Sequence, residues 1–587
     1  MALPHAIDSP AGRALSGKLN EQTIVLPPAL ARAVTEAQEA WHAAGNTRRL
    51  WKRDATLWTG RDEDDWLGWL GIVDEELQAL APLQEFAREV AAERFSDVLL
   101  LGMGGSSLGP EVIARTLGSA TDFPRLHVLD STDPHQVRRF ANQIDCARTL
   151  YIVSSKSGTT LETSVLMDYF FAGLAAAKAD PGRNFVAITD PGSRLQTTAG
   201  ERGFRRVFAG VPSIGGRYSV LSKFGLVPLA ASGHDARAFL AAAASMAQAC
   251  GPDVPAAENP GVALGLTIGV LAQHGRDKLT FVASPSVAAF GAWAEQLVAE
   301  STGKSGLGVI PIDGEPVGEP AVYGSDRLFV FLRDAANSEP AKDHAVAALE
   351  RAGHPVVRID LAPKLLAQEF FRFEIATAVA GAVLGIDPFD QPDVEASKVS
   401  ARAITETYEN TGSLPSEPPL LAANGVTLYA DHANAQALRR GGELLTLEGV
   451  LKAHLARAKE GDYVALLAYL DAEPATIEAL QDMRLAVRDQ KRVATCLQFG
   501  PRFLHSTGQA YKGGPNSGVF LVLTAEPARD LEIPGRKASF GIIEAAQARG
   551  DLRVLAERGR RVLHVHLPGA TRRSLAVLTE AVRRALQ

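Results

Sequence analysis

The chain has 587 residues, of which 46% are hydrophobic and 22% are charged, and its formal net charge is −7 at pH 7. At roughly 100–200 residues per domain, this length and ordinary composition predict a globular protein of about three or four domains. The acidic balance excludes a global basic field that would hold nucleic acid or an anionic membrane, so an anionic ligand would need local positive partners.

The first predicted element is a helical segment at residues 1–94. Trp66, Trp69, Leu70 and Val73 recur at helix-like spacing among acidic residues, with no strand-type alternation. We interpret the tryptophans of this segment as a packing surface and not as a binding site.

Short apolar runs alternate with helix-length segments over the next 300 residues or so. Such runs, buried on both faces and bounded by turns, are typical of parallel sheets with helices on both sides. The predicted strands are 98–102, 126–130, 149–153 and 185–189, followed by 279–283, 328–332 and 356–360. The two sets predict two similar three-layer α/β units, at residues 95–255 and 256–410.

The stretch from Thr411 to Gly425 is rich in proline, serine and glycine and is predicted to be a connector. Beyond it, further apolar runs alternate with helical patterns at 463–470, 493–500, 518–524 and 562–567. These runs predict a C-terminal α/β domain at residues 411–587.

The remaining composition favours a cytoplasmic protein. The first 20 residues lack the apolar segment of a signal peptide, and no run of about 18 apolar residues occurs in the chain. Cys146, Cys250 and Cys496 are isolated, which argues against a disulfide framework and a structural zinc.

The first motif that can carry chemistry is GMGGSSLGPEVIA, which starts at Gly102 directly after a predicted strand. Its glycines allow the backbone to approach a ligand closely, and the N–H groups at the start of the following helix form an anion site. The spacing differs from the dinucleotide pattern G-x-G-x-x-G, but similar turns also bind dinucleotides or nothing. This loop alone therefore leaves phosphate binding open.

The second motif, SSKSGTTLETSVLM, starts at Ser154, directly after the predicted strand at 149–153. Its first seven residues include five with hydroxyl groups, together with Lys156. Ligands gather at the carboxyl ends of parallel strands, so the two loops are expected to converge on one phosphate. The alternative is helix capping, which needs one hydroxyl and not five, so we favour phosphate.

Three later motifs carry charged or amide side chains. Arg217 follows two glycines in SIGGRYSVLS, where a guanidinium could stabilise an oxyanion or form a surface salt bridge. Glu300 ends a predicted amphipathic helix in AEQLVAESTGK and could be a general base or a solvated carboxylate. Gln391 and Lys398, seven residues apart in FDQPDVEASK, are predicted to share one helical face.

Together these five motifs, in this order, resemble those of the glucose-6-phosphate isomerase family, which is built from two sugar-isomerase domains. The resemblance covers about residues 95–400. The N-terminal helices and the third unit, with its segment FLHSTGQAYKGGP, are most similar to the isomerase half of fused transaldolase–isomerase proteins. No segment upstream is long enough for the transaldolase barrel.

The resemblance implies reversible isomerisation of glucose 6-phosphate and fructose 6-phosphate through a cis-enediol, without metal or nicotinamide. Glu300 would move the proton between C2 and C1, Arg217 would stabilise the intermediate, and Lys398 would assist ring opening. The implied substrate-binding residues are Gly105, Ser106, Ser155, Lys156, Ser157, Thr160, Gly216 and Gln391.

This sequence departs from the family's motifs at one position that is implied in opening the sugar ring. Many family members carry a histidine in a segment that matches GEPAVYGSDRLFV, and Asp326 stands at that position here. Either Asp326 takes over the proton transfer or another histidine reaches the site, and His505 is our candidate because imidazole titrates near neutrality. The alternative is that His505 caps a turn inside the third unit.

Three alternatives to isomerisation of glucose 6-phosphate arise from the same motifs. A hexosamine-phosphate-forming synthase would need an amino-terminal cysteine, whereas the first cysteine here is Cys146. A sugar-phosphate sensor would lack the base and would usually carry a basic DNA-binding module. Mannose 6-phosphate stays open as a further substrate. The family is usually dimeric, although the C-terminal unit could cover or replace the contact surface.

Overall fold

The computed structural model describes residues 19–440 and 446–587. The prediction that no signal peptide is present rests on residues that lie almost entirely outside these ranges. None of the helices in the described ranges combines the length and hydrophobicity needed to cross a bilayer.

The N-terminal part is mostly helical, but it begins with a strand. Its elements are β1 (Gln22–Val25), α1 (Pro28–Ala43), α2 (Asn46–Trp51), α3 (Ile72–Gln78) and α4 (Ala81–Glu93). Since β1 pairs antiparallel with residues 356–359, the prediction of a segment without strands is wrong here. Four residues are too few for a clear alternation, and the partner strand lies more than 300 residues away. The tryptophans do pack: the Trp69 indole is fully buried and stacks on Tyr218 at 5.2 Å between ring centroids.

The first unit contains a five-stranded parallel sheet in the order β3-β2-β4-β5-β6. Its elements are β2 (Asp97–Gly102), α5 (Leu108–Leu117), β3 (Arg125–Leu129), α6 (Pro134–Gln143), β4 (Thr149–Ser154), α7 (Leu161–Ala175), β5 (Phe185–Thr189), α8 (Arg194–Glu201), β6 (Arg206–Ala209), α9 (Lys223–Ala231) and α10 (Ala236–Ala249). The four predicted strands are confirmed to within one residue at each end. The short strand β6 was missed because it is partly exposed and starts with arginine.

The second unit has the strand order β1-β10-β9-β7-β8, parallel except for β1. Its elements are α11 (Pro260–Gln273), β7 (Lys278–Ala283), α12 (Phe290–Thr302), β8 (Ile310–Ile312), β9 (Arg327–Arg333), α13 (Pro340–Arg351), β10 (Val356–Asp360) and α14 (Leu366–Leu384). The expectation of an amphipathic helix before Glu300 is wrong, because every residue of α12 except Ala292 is buried. The helix lies between other elements on all sides, so its polar residues are internal.

A long helix leads into the third unit, whose sheet order is β11-β12-β16-β15-β13-β14. The elements are α15 (Pro392–Thr411), β11 (Leu421–Ala423), β12 (Val426–Tyr429), α16 (His432–Arg440), α17 (Leu447–Leu455), β13 (Tyr463–Tyr469), α18 (Pro474–Lys491), β14 (Ala494–Phe499), α19 (Gly508–Gly513), β15 (Gly518–Ala525), α20 (Phe540–Glu557), β16 (Arg561–Leu567) and α21 (Arg572–Leu586). The four strands predicted in this unit are confirmed.

The predicted connector is wrong in its last third, which contains β11 and the turn of a hairpin with β12. Asn424 and Gly425 make the turn with φ of 55° and 78°, the left-handed conformation that an Asn-Gly hairpin turn requires. The α/β fold class with parallel sheets is confirmed, whereas the domain boundaries stay predictions.

The third unit packs closely against the other two. One face of its sheet shares a hydrophobic cluster with Ala299, Ile310 and Ile312 of the second unit. Helix α20 touches α15 so closely that a Cβ on Gly550 would lie 2.7 Å from the backbone nitrogen of Ala401. Residues 501–514, which lie between β14 and β15, reach both other units, and we call them the inserted segment. Arg502 lies 2.8 Å from Glu111 Oε2 of the first unit, and Gln509 donates to the carbonyl oxygen of Gly303 in the second.

Candidate active site

Three backbone segments meet at the carboxyl end of β2. A Cβ on Gly105 would lie 2.0 Å from the carbonyl oxygen of Gly216, and one on Gly104, whose φ is 56°, would lie 2.8 Å from that of His505. No side chain fits at either glycine, so the glycines allow the two loops and the inserted segment to touch. The predicted site residues Gly105 and Gly216 are thereby brought together.

Arg217 is a buried cation with a fixed orientation. Its guanidinium, 2% exposed, donates to Ser301 Oγ at 2.8 Å, to Gln391 Oε1 at 2.8 Å and to the carbonyl oxygen of Pro388 at 2.7 Å. A surface salt bridge is thus excluded for this arginine. A buried charge needs such partners, and here they leave Nη1 3.5 Å from Glu300 Oε1.

Gln391 reaches the site by a different route from the predicted one. It lies before Pro392, the first residue of α15, so the proposed helical face shared with Lys398 is wrong. Proline at the first helical position leaves the preceding residue non-helical, with φ of −153° and ψ of 65°. Its amide oxygen holds Arg217 in place.

Glu300 lies in the last turn of α12, and its carboxylate oxygens have different surroundings. Oε2 accepts a hydrogen bond from Gln296 Nε2 at 3.0 Å, and the same amide donates to the carbonyl oxygen of His505 at 2.8 Å. Oε1 faces Arg217 at a distance too long for a strong hydrogen bond. One oxygen is therefore anchored, and the other keeps its lone pairs for a proton.

His505 belongs to the third unit but binds a carboxylate of the first. Its Nε2 lies 2.8 Å from Glu162 Oε1, and Gln547 Nε2 donates to the same oxygen at 2.6 Å. Burial would raise the pKa of Glu162, but the neighbouring His505 and its hydrogen bond, with help from Lys398, hold that pKa below its ordinary value. An ionised carboxylate only accepts, so His505 carries a proton on Nε2.

The inserted segment is anchored on both sides of His505. Arg502 lies 2.8 Å from both Glu111 Oε2 and Asp130 Oδ2 of the first unit. Gln509 donates to the carbonyl oxygen of Gly303 at 3.0 Å, next to the end of α12. The alternative that His505 merely caps a turn within its own unit does not account for these contacts.

The hydroxyl-rich loop, residues 154–160, leaves β4 beside the glycine loop, because Ser154 is paired with Gly102 in the sheet. Ser155 Oγ lies 3.0 Å from Thr160 Oγ1, and Ser157 Oγ lies 3.1 Å from Thr159 Oγ1. Thr160 precedes α7, but its side chain makes no capping hydrogen bond to the helix. Helix capping therefore does not explain the hydroxyl groups of this loop. Free N–H groups and hydroxyls at a helix start can bind a phosphate.

The three remaining predicted site residues near these loops differ in their contacts. Ser106 is buried in the glycine loop, and Lys156 pairs with Asp190. The Lys398 side chain is 39% exposed and acts on Glu162 by its charge. The structure thus places all three near the two loops; Lys156 is paired with Asp190, and Lys398 Nζ lies 3.8 Å from Glu395 Oε2.

Asp326 lies apart from this cluster. Its Oδ2 is 3.8 Å from Lys278 Nζ, and neither carboxylate oxygen has a hydrogen-bond partner in the described part of the chain. No hydrogen bond or ion pair joins it to Glu300, Arg217 or His505 in the described ranges. The structure therefore brings one of the two ring-opening candidates to the site.

Several polar residues of the site were not predicted from the sequence. Glu162, Gln296, Gln509 and Gln547 connect the units by hydrogen bonds. The position of Glu162 could have indicated a role in the site, since it lies at the start of α7 just after the hydroxyl-rich loop. Within residues 19–440 and 446–587, no three His, Cys, Asp or Glu side chains gather closely enough to hold a metal ion.

Chemically, the site combines a carboxylate, a fixed guanidinium and a carboxylate-bound imidazole beside a loop suited to phosphate. A carboxylate can remove a proton next to a carbonyl while the cation stabilises the oxyanion that forms. The imidazole can deliver a proton to a leaving oxygen.

Part of the chain is similar to proteins of known family. A sequence model of the phosphoglucose isomerase family matches residues 84–312. The probable glucose-6-phosphate isomerase of Methanococcus maripaludis is 30% identical over 376 residues, 56% of this chain and 82% of that protein. The glucose-6-phosphate isomerase of Rubrobacter xylanophilus is 31% identical over 363 residues, 54% of this chain and 83% of that protein.

A solved structure shares the fold. A hypothetical protein from Thermus thermophilus superposes with a TM-score of 0.56 at 24% identity, covering 65% of this chain and 99% of that one.

Proposed function

Because this chain belongs to the glucose-6-phosphate isomerase family, we propose that it interconverts glucose 6-phosphate and fructose 6-phosphate. The observation that carries the proposal is the pairing of the Glu300 carboxylate with the buried Arg217 guanidinium, 3.5 Å apart. A sensor that only binds sugar phosphate would have no need for a buried carboxylate held next to a fixed cation. The neighbouring hydroxyl-rich loop is the proposed phosphate site.

In this mechanism, Glu300 Oε1 removes the proton from C2 of the open-chain aldose. The electrons move to the C1 oxygen and give a cis-enediolate, whose negative charge faces Arg217. Glu300 then returns the same proton to C1, while the hydroxyl proton at O2 is lost and O1 gains one, which yields the ketose. The hydrogen bond from Gln296 to Oε2 keeps Oε1 directed at the sugar.

Ring opening precedes this step for cyclic substrates. We assign it to His505: its Nδ1, the ring nitrogen that is not bound to Glu162, would accept the proton of the anomeric hydroxyl and pass it to the ring oxygen. Glu162 is a positioning residue, because its hydrogen bond to Nε2 fixes the orientation of the imidazole. Lys398, whose charge acts on Glu162, would assist, and Asp326 is left without a role in this scheme.

The direct test is conversion of fructose 6-phosphate, followed through glucose 6-phosphate with a coupled dehydrogenase. His505→Asn is expected to lower turnover about tenfold to hundredfold, at the weak end of acid–base catalysis, since Lys398 and spontaneous opening cover part of the step. The matched control is His344→Asn on the exposed side of α13. Equal rates in His505→Asn and the unmodified chain would contradict the assignment, and no turnover by the unmodified chain would refute the proposed function.

Lys304 gives the reaction a predicted dependence on pH. Its Nζ lies 2.9 Å from Asp390 Oδ1 and also binds the carbonyl oxygen of Asp387, so it steadies the loop that holds Arg217. Burial, followed by the charge of Arg217, lowers the pKa of Lys304 to about 8. The lysine is charged below this pH and neutral above it.

We therefore expect turnover to fall as pH rises through about 8. Lys304→Met should show lower turnover at neutral pH and no such inflection, measured as kcat between pH 6 and roughly 9.5. An inflection that persists unchanged in Lys304→Met would assign it to another group.

A further inference from the structure

A cavity adjoins the hydroxyl-rich loop on the side of α7. It is a groove of about 500 Å³ between α7, α8 and α15, and Ser155, Thr159 and Thr160 line one end. This volume lies within the range of small-molecule sites, roughly 300–1,000 Å³. Its walls come from distant parts of the chain, because Arg402 belongs to α15 and Arg536 to the loop before α20. We call it the arginine groove.

Most arginines of this groove have no acidic partner. Arg202 pairs with Asp168 at 2.7 Å. The guanidinium groups of Arg194, Arg402 and Arg536 have no carboxylate within 4.0 Å in the described ranges. Arg402 and Glu406, four residues apart on α15, have the spacing of a helical ion pair, yet they do not form one.

The charge of the groove is accordingly positive. Its wall carries four arginines and three carboxylates, those of Asp168, Glu406 and Glu409. Lys537 adds a further cation beside it, because its Nζ donates to the carbonyl oxygen of Glu409 at 3.0 Å. Several unpaired guanidinium groups around one concavity match the oxygens of phosphate, which arginine binds in a bidentate manner.

A hexose monophosphate would not use these arginines. Its single phosphate would occupy the hydroxyl-rich loop, and its carbon chain would extend toward Glu300 and Arg217. We propose that the arginine groove binds a second phosphate group, so that a compound with two phosphates spans the hydroxyl-rich loop and the arginines Arg402 and Arg536. Such a ligand contacts the first unit, α15 and the third unit at once, and it competes with the substrate for the loop.

The inference rests on the proposed function for the phosphate site in the hydroxyl-rich loop and for the competition with substrate there. Binding is therefore measured without turnover, by titration calorimetry with fructose 1,6-bisphosphate and, separately, with inorganic pyrophosphate. The first probe represents a sugar bisphosphate and the second a free polyphosphate, and binding of either supports the shared chemistry. If neither probe binds the unmodified chain, the inference is overturned.

The double variant Arg402→Gln/Arg536→Gln identifies the site. Loss of two charge-assisted contacts should weaken binding of the bound probe at least about tenfold relative to binding of fructose 6-phosphate, since 1.4 kcal/mol corresponds to a factor of ten. Both arginines are exposed, so folding should be unaffected, which circular dichroism checks. The matched control is Arg573→Gln, an exposed arginine of α21.

The outcomes separate the two proposals. Unchanged binding of the probe in the double variant, or equal weakening in Arg573→Gln, overturns the arginine groove and leaves the isomerase function intact. Fructose 6-phosphate that binds without being converted refutes the isomerase function and leaves the test of the groove valid.

Discussion

Glu300→Gln is expected to lower kcat for fructose 6-phosphate by at least about two orders of magnitude, the usual minimum for a positioned general base. The amide keeps the size of the carboxylate and can still bond to Gln296, but it cannot accept the C2 proton. KM should change little, because the phosphate loop lies on another unit. The measurement is the coupled assay at neutral pH in buffer with chelator.

The matched control for this variant is Glu295→Gln, one turn and a residue earlier in the same helix. Burial and the neighbouring Asp313 raise the pKa of Glu295, which favours the neutral carboxyl group, equal in charge to the amide of glutamine. We expect near-normal turnover in this control. If Glu300→Gln retained more than about a tenth of the activity, the base would have to be another group.

Arg217→Gln is expected to cost about 10²–10³ in kcat, comparable to the removal of one donor from an oxyanion site. Four acceptors, among them Ser301, Gln391 and the carbonyl of Pro388, lose their donor at the same time. Arg217→Lys keeps the charge but not the planar fork, so its activity should lie between those of Arg217→Gln and the unmodified chain.

A structural defect and a loss of transition-state stabilisation can be told apart in these variants. A phosphorylated aldonate, whose carboxylate mimics the enediolate, should lose affinity in parallel with kcat/KM, whereas fructose 6-phosphate should lose less. Equal weakening of both ligands, together with a fall in thermal midpoint, would indicate that Arg217 serves only to hold the loops together.

The sequence predicted the sheets well because their strands are buried on both faces and read as unbroken apolar runs. It failed where a structure depends on distant partners. Strand β1 alternates too briefly to be seen without its neighbour, and α12 looks amphipathic only when the surrounding units are ignored. The likeness to fused transaldolase–isomerase proteins stays a prediction.

The sequence predicted the charged side chains of the candidate site but not the hydrogen bonds that connect them. Glu300, Arg217 and His505 were predicted as site residues. The amide of Gln296, which connects Glu300 to His505, was not predicted, because Gln296 and His505 are 209 residues apart in the sequence. The choice between His505 and Asp326 was open for the same reason. Which side chains meet across units depends on how the units pack, and no local pattern encodes it.

The inserted segment has a consequence for how robust the proposed catalyst is. All groups assigned to the reaction, including His505, lie on a single polypeptide, so their encounter is intramolecular and has a high effective concentration. Dilution to nanomolar levels should leave the specific activity unchanged. Cutting the chain near residue 415 would turn the same site into a two-component assembly, whose rate would then depend on how well the pieces find each other.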